Sequence, residues 1–81
     1  MNEEAIREAV LAIIQDVSGK DDLPPVDGSA SLRDQLDLDS MDFLDIVMEL
    51  RKRHKVQVPE SDYKELASLD STVAYLLPRM G

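Results

Sequence analysis

Apolar residues recur at helical spacing in two long stretches of this 81-residue chain and in a shorter one near its end. Over residues 3–17 the repeating positions are Ile6, Val10, Ile13, Ile14 and Val17, interleaved with Ala5, Ala9 and Ala12. That period predicts an amphipathic helix, and alanine favours the state. Asn2 suits the N-cap, Glu3 and Glu4 complement the positive end of the helix dipole, and Gly19 suits the stop.

Residues 40–54 contain no Gly or Pro and predict a second helix. At about 100° per residue, Phe43, Ile46, Val47, Leu50 and His54 share one arc, which is the expected core face. Met41, Leu44 and Met48 fall on the opposite side, bordered by Asp45. A surface helix needs only one apolar stripe. The second stripe reads equally well as a face packed under a loop or as a docking face for partner proteins, since Met adapts to several partners.

Residues 18–39 hold Gly19, Pro24, Pro25 and Gly28 and predict a long loop. Leu23, Val26, Leu32, Leu36 and Leu38 should pin it to the core, with room for a short turn of helix near 31–36. Residues 55–58 are β-branched and short, but a lone strand would have nothing to pair with. Pro59 suits the first position of a short third helix over residues 60–66. A fourth is expected over residues 70–77, with Val73, Leu76 and Leu77 inward and Pro78 ending it. The fold class is therefore all-α: a small four-helix bundle with a long first loop and a short third helix.

Composition narrows the function. The chain has no Cys, which removes disulfides, thiolate nucleophiles and cysteine-held metal centres, and fits a reducing compartment. Seventeen Asp and Glu against nine Lys and Arg leave a net charge of -8. That balance argues against nucleic acid and for partners with basic surfaces. The longest apolar run, residues 9–14, is far too short to cross a membrane, and the acidic start does not resemble an export signal. A cytoplasmic location is expected.

Ser40 sits where the long loop meets the second helix, with Asp39 before it as N-cap. A phosphate esterified there would meet unpaired backbone N–H groups at the positive end of a dipole. Simple capping is the commoner use of such an Asp-Ser pair. A hydrolase reading fails, because His54 is the only histidine and lies about 21 Å along the same helix from Ser40. A calcium-loop reading of Asp37, Asp39, Asp42 and Asp45 fails because Met41, Asp42 and Met48 occupy positions that need other residues. No metal site is expected.

With these residues in view, the chain resembles the acyl carrier protein family along nearly its whole length. The resemblance rests on the long first helix and loop, Asp39-Ser40-Met41 opening an acidic helix, Val56-Gln57-Val58-Pro59, and Tyr75-Leu76 in the last helix. It implies that residues 1–81 form a single acyl carrier domain, a monomer and a covalent carrier, itself no enzyme. Ser40 would receive 4'-phosphopantetheine from coenzyme A through a holo-acyl-carrier-protein synthase or a similar phosphopantetheinyl transferase using Mg²⁺. Asp39 would help recognise that transferase and its metal. Met41, Asp42, Leu44, Asp45, Met48, Arg51 and Lys52 would dock acyl-loading and acyl-processing enzymes. The chain departs from the common fatty-acid form at Asp37, where Gly is frequent, and at His54, where an aromatic is frequent. The basic run from Arg51 to Lys55 is a third departure and points to a specialised pathway. The competing reading is a helical adaptor without cofactor, whose function is the docking face alone.

Overall fold

The first helix begins and ends where its caps place it. In the computed structural model, which describes residues 2–19 and 25–80, α1 spans Glu3–Ser18. The Asn2 side chain accepts from the Ala5 N–H at 2.8 Å. Gly19 takes the left-handed conformation (φ 72°) and its N–H donates to the Gln15 carbonyl at 3.1 Å. Ile6, Val10, Ile13 and Ile14 are buried. Each such side chain contributes about 1.5–3 kcal/mol when fully removed from water.

The loop that follows is structured by its own hydrogen bonds. A short helix, α2, spans Leu32–Leu36, with Ser31 as its N-cap. The Leu32 N–H donates to the Ala67 carbonyl at 2.9 Å, and Ser31 and Ser68 form one antiparallel bridge. The Gln35 amide accepts from the Asp27 N–H and donates to the Asp27 and Ala30 carbonyls, closing the turn before α2. Hydrogen bonds from the Ser29 hydroxyl and amide hold the Asp27 carboxyl below its usual range. Leu32, Leu36 and Leu38 are buried and Val26 packs against the core, as the pattern of the loop predicts. Leu23 lies outside the described residues.

α3 spans Ser40–His54 and α4 spans Leu69–Met80, with a 3-10 helix over Glu60–Leu66 between them. α1 packs against both α3 and α4, and the 3-10 helix packs on α4. The core joins α1 to Ile46 and Leu50 of α3, to Leu66 of the 3-10 helix and to Leu69, Val73 and Leu76 of α4.

Residues 55–58 form no strand, in keeping with the lack of a pairing partner; the segment buries Val56 and Val58 in the core. The second half of the chain departs from the pattern-based reading in two places. Pro59 stands at the cap position of the 3-10 helix, with extended backbone (ψ 155°), one residue before the helical turn. Pro78 does not end α4, which continues to Met80. A proline ring disturbs the carbonyl four residues earlier, and Ala74 is exposed, so water can satisfy that group. Next to it, Arg79 Nη1 donates to the Tyr75 carbonyl at 2.7 Å. At the other end, Ser68 and Ser71 exchange side-chain and backbone hydrogen bonds, starting α4 at Leu69.

Candidate functional site

The start of α3 is built from a reciprocal pair of carboxylates. Asp39 Oδ1 accepts from the Asp42 N–H at 2.9 Å, and Asp42 Oδ2 accepts from the Asp39 N–H at 3.2 Å. This capping box holds Asp39 in extended backbone (ψ -178°) and sets Ser40 as the first helical residue. It also gives Asp42, read from the sequence as a docking residue, a structural task. Ser40 is exposed. Among the described residues, no protein acceptor meets the Ser40 and Met41 N–H groups. Unpartnered donors at a helix start are what a phosphate can use.

Two turns shape the approach to Ser40. Asp37 caps α2 in the left-handed conformation (φ 54°). Its N–H and that of Leu38 both donate to the Arg33 carbonyl. This turn brings Arg33 against the start of α3, where its Nη2 donates to Ser40 Oγ at 3.3 Å. Beside Ser40 opens a groove of about 430 Å³, lined by Arg33, Phe43, Leu44, Tyr63, Lys64 and Ala67. The helical wheel put Phe43 in the core; it is half-buried and also lines this groove. Sequence reading missed Arg33, Tyr63 and Lys64. Only Arg33 left a trace, as the single Lys or Arg between residues 25 and 50.

The second apolar stripe of α3 faces solvent. Met41 is 73%, Leu44 47% and Met48 66% exposed. It does not pack under the loop, so the choice left open by the pattern falls to an exposed face. Asp45 is exposed beside it. A shallow depression joins Asp45, Met48 and Lys52 to Asp16 and Val17 at the end of α1. Arg51 and Lys52 are exposed and form no ion pair among the described residues. His54 is half-buried at the end of α3. The described residues hold no group of three or more His, Cys, Asp or Glu able to bind a metal ion. No helix among them is long and apolar enough to cross a membrane.

Residues 8–76 match the family model described as the phosphopantetheine attachment site. The chain belongs to the acyl carrier protein family. It is 30% identical over 81 residues to an acyl carrier protein from Chlorobium phaeobacteroides, covering 98% of this chain and 100% of that one. An acyl carrier protein from Thermotoga maritima is 31% identical over 78 residues, covering 96% of this chain and 95% of the relative. A solved structure described as an acyl carrier protein from Mycobacterium tuberculosis superposes with a TM-score of 0.77 at 19% identity, covering 90% of this chain and 96% of that one. That likeness shows the same fold. The cofactor of the family is 4'-phosphopantetheine.

The residues at the start of α3 fit that group. The exposed serine, the unpartnered amides beside it and the guanidinium within hydrogen-bond reach suit a phosphodiester. The adjoining groove, with Phe43, Leu44, Tyr63 and Ala67 in its lining, offers apolar surface to the arm beyond it.

Proposed function

We propose that Ser40 carries the 4'-phosphopantetheine, and that the chain holds acyl or aminoacyl intermediates as thioesters on it and delivers them to partner enzymes. The observation that carries this reading is an exposed Ser40 at a capped helix start, directly beside the exposed Met41, Leu44 and Met48. The Ser40 hydroxyl loses its proton, its oxygen bonds to phosphorus, and the nucleotide half of coenzyme A departs. The arm supplies the thiol that a chain without Cys lacks. Asp39 serves the transferase and its Mg²⁺ while capping α3. The chain is a substrate of its partners, works as a monomer in the cytoplasm, and has no catalytic group of its own.

Met41, Leu44 and Met48, with Asp42 and Asp45, form the near half of the docking face. Arg51 and Lys52 form its far, basic half. A face acidic and apolar near Ser40 but basic further along selects partners of matching charge, which favours a specialised lipid or secondary-metabolite pathway. Incubation with coenzyme A, Mg²⁺ and a broad-specificity phosphopantetheinyl transferase tests the attachment. Intact mass should rise by one phosphopantetheinyl group, and Ser40→Ala should stay folded and unmodified. A protein that gains no mass, or an Ala variant modified at Ser29, Ser31 or Ser71, would leave the cofactor-free adaptor as the better reading.

A further inference from the structure

One of the cations lining the groove beside Ser40 comes from a stretch of chain that is otherwise acidic. Residues 25–50 contain Asp27, Asp34, Asp37, Asp39, Asp42, Asp45 and Glu49, and only one Lys or Arg, Arg33. That one guanidinium is the group that touches Ser40 Oγ. An arginine placed for general charge balance could point anywhere along so acidic a surface. Its backbone is also held firmly. Leu32 and Leu36 on either side of it are buried, and its carbonyl accepts from the Asp37 and Leu38 amides. The side chain is exposed, but the element it springs from is pinned.

We propose that Arg33 binds the phosphodiester attached to Ser40 and thereby directs the prosthetic arm along the groove between α3 and the 3-10 helix. The inference rests on Ser40 being the attachment point. Once esterified, Oγ has no hydrogen and is a poor acceptor. The two unesterified phosphate oxygens lie only two bonds further out, within the sweep of a guanidinium that already reaches Oγ. A planar fork can hold both oxygens together, which a lysine ammonium cannot do. The phosphodiester adds a negative charge next to the Asp39–Asp42 box, and Arg33 offsets the resulting repulsion. Lys64 of the 3-10 helix, which also lines the groove, is the second cation and makes no hydrogen bond to Ser40 among the described residues. It therefore serves as the comparison.

The experiment uses the full chain in apo and holo forms, with Arg33→Lys, Arg33→Met and Lys64→Met. Intact mass is read first. Failure of the unaltered chain to gain the arm overturns the attachment at Ser40, and this proposal with it. On holo samples, the Arg33 side-chain N–H resonance and the ³¹P signal report the contact, and relaxation of an isotope-labelled arm reports its order. The Arg33 resonance should move on conversion from apo to holo. In holo Arg33→Met the ³¹P shift should move to that of an uncontacted phosphodiester, read from the holo parent unfolded in urea, and the arm should gain mobility. Arg33→Lys should fall between, and Lys64→Met should leave the ³¹P signal in place. Apo Arg33→Met should melt like the apo parent, which separates phosphate binding from a merely structural role. A holo Arg33→Met with unchanged ³¹P shift and arm relaxation, or an Arg33 resonance that ignores the arm, would overturn the proposal. So would an effect of Lys64→Met as large as that of Arg33→Met.

Discussion

Arg53 Nη2 donates to Asp16 Oδ2 at 2.6 Å, tying the end of α3 to the end of α1, while its Nε donates to Glu49 one turn earlier at 2.9 Å. Hydrogen bonding to Asp16, and then the pairing with Glu49, hold the guanidinium still more firmly protonated. The basic run at the end of α3 is thus divided: Arg53 is engaged within the fold, while Arg51 and Lys52 are exposed without an ion pair among the described residues. Arg53→Ala should lower the melting temperature, and added salt should shrink the difference. A difference independent of salt would mean that the aliphatic stem, not the charge, holds the two helices.

Reversing the other two charges tests partner selection. Arg51→Glu with Lys52→Glu should leave the fold intact, slow turnover with the cognate enzyme and speed it with generic fatty-acid synthase enzymes. The change should be larger at low than at moderate salt, because rim charges act mainly on association. Initial rates with fully loaded protein decide it. Equal rates before and after the change would reduce the basic end to a solvated helix terminus stabilised by its dipole.

Among the described residues, two other than glycine sit in the left-handed region, Asp37 (φ 54°) and Lys55 (φ 58°). Each ends a helix at a position that glycine fills without steric cost. Lys55→Gly should stabilise the fold by about 1 kcal/mol in urea denaturation. Asp37→Gly should gain less, about 0.5 kcal/mol, because Asp tolerates this conformation better. Loss of stability on either change would show that the side chain makes a contact worth more than the strain.

Tyr75 on α4 donates to Asp62 Oδ2 of the 3-10 helix at 2.6 Å, and the Arg79 guanidinium lies 3.8 Å from its ring centroid. The hydrogen bond to Asp62, and then burial, raise the phenol above its ordinary value of 10.0. The folded state therefore favours the protonated phenol. Its contribution to stability is complete below about pH 10 and disappears as pH rises through the raised folded value. Denaturation curves across that range should fall more steeply for the parent than for Tyr75→Phe. Parallel curves would mean that the phenol ionises alike in both states.

Asp34, Asp37, Asp39, Asp42, Asp45 and Glu49 fall between residues 34 and 49, a stretch without Lys or Arg. The Asp39 and Asp42 carboxylates are held together by the capping box. Modest salt or Mg²⁺ should raise the melting temperature by screening their repulsion. A melting temperature that ignores both would mean that Arg33 and Arg53 already neutralise the surface.

The two long helices were legible because their signals are local. Asn2, Gly19 and Asp39 act on backbone groups a few residues away, and the apolar period of α1 and α3 marks the faces they bury. The serine at the start of α3 follows from the same local chemistry. The exposed Met41-Leu44-Met48 stripe was visible as a pattern, but a pattern cannot say whether a loop covers it; only the packing of α2 elsewhere did so. Pro78 signals a stop in any sequence, yet the last turn of α4 accommodates it, with Ala74 four residues earlier exposed. Val56 and Val58 have strand-like chemistry, and the core takes both without any strand to pair them. Arg33 is the sharpest case. It lies seven positions before Ser40, across a turn set by one left-handed Asp37. No periodicity encodes that meeting, because it depends on where buried Leu32, Leu36 and Leu38 seat the loop on helices distant in sequence.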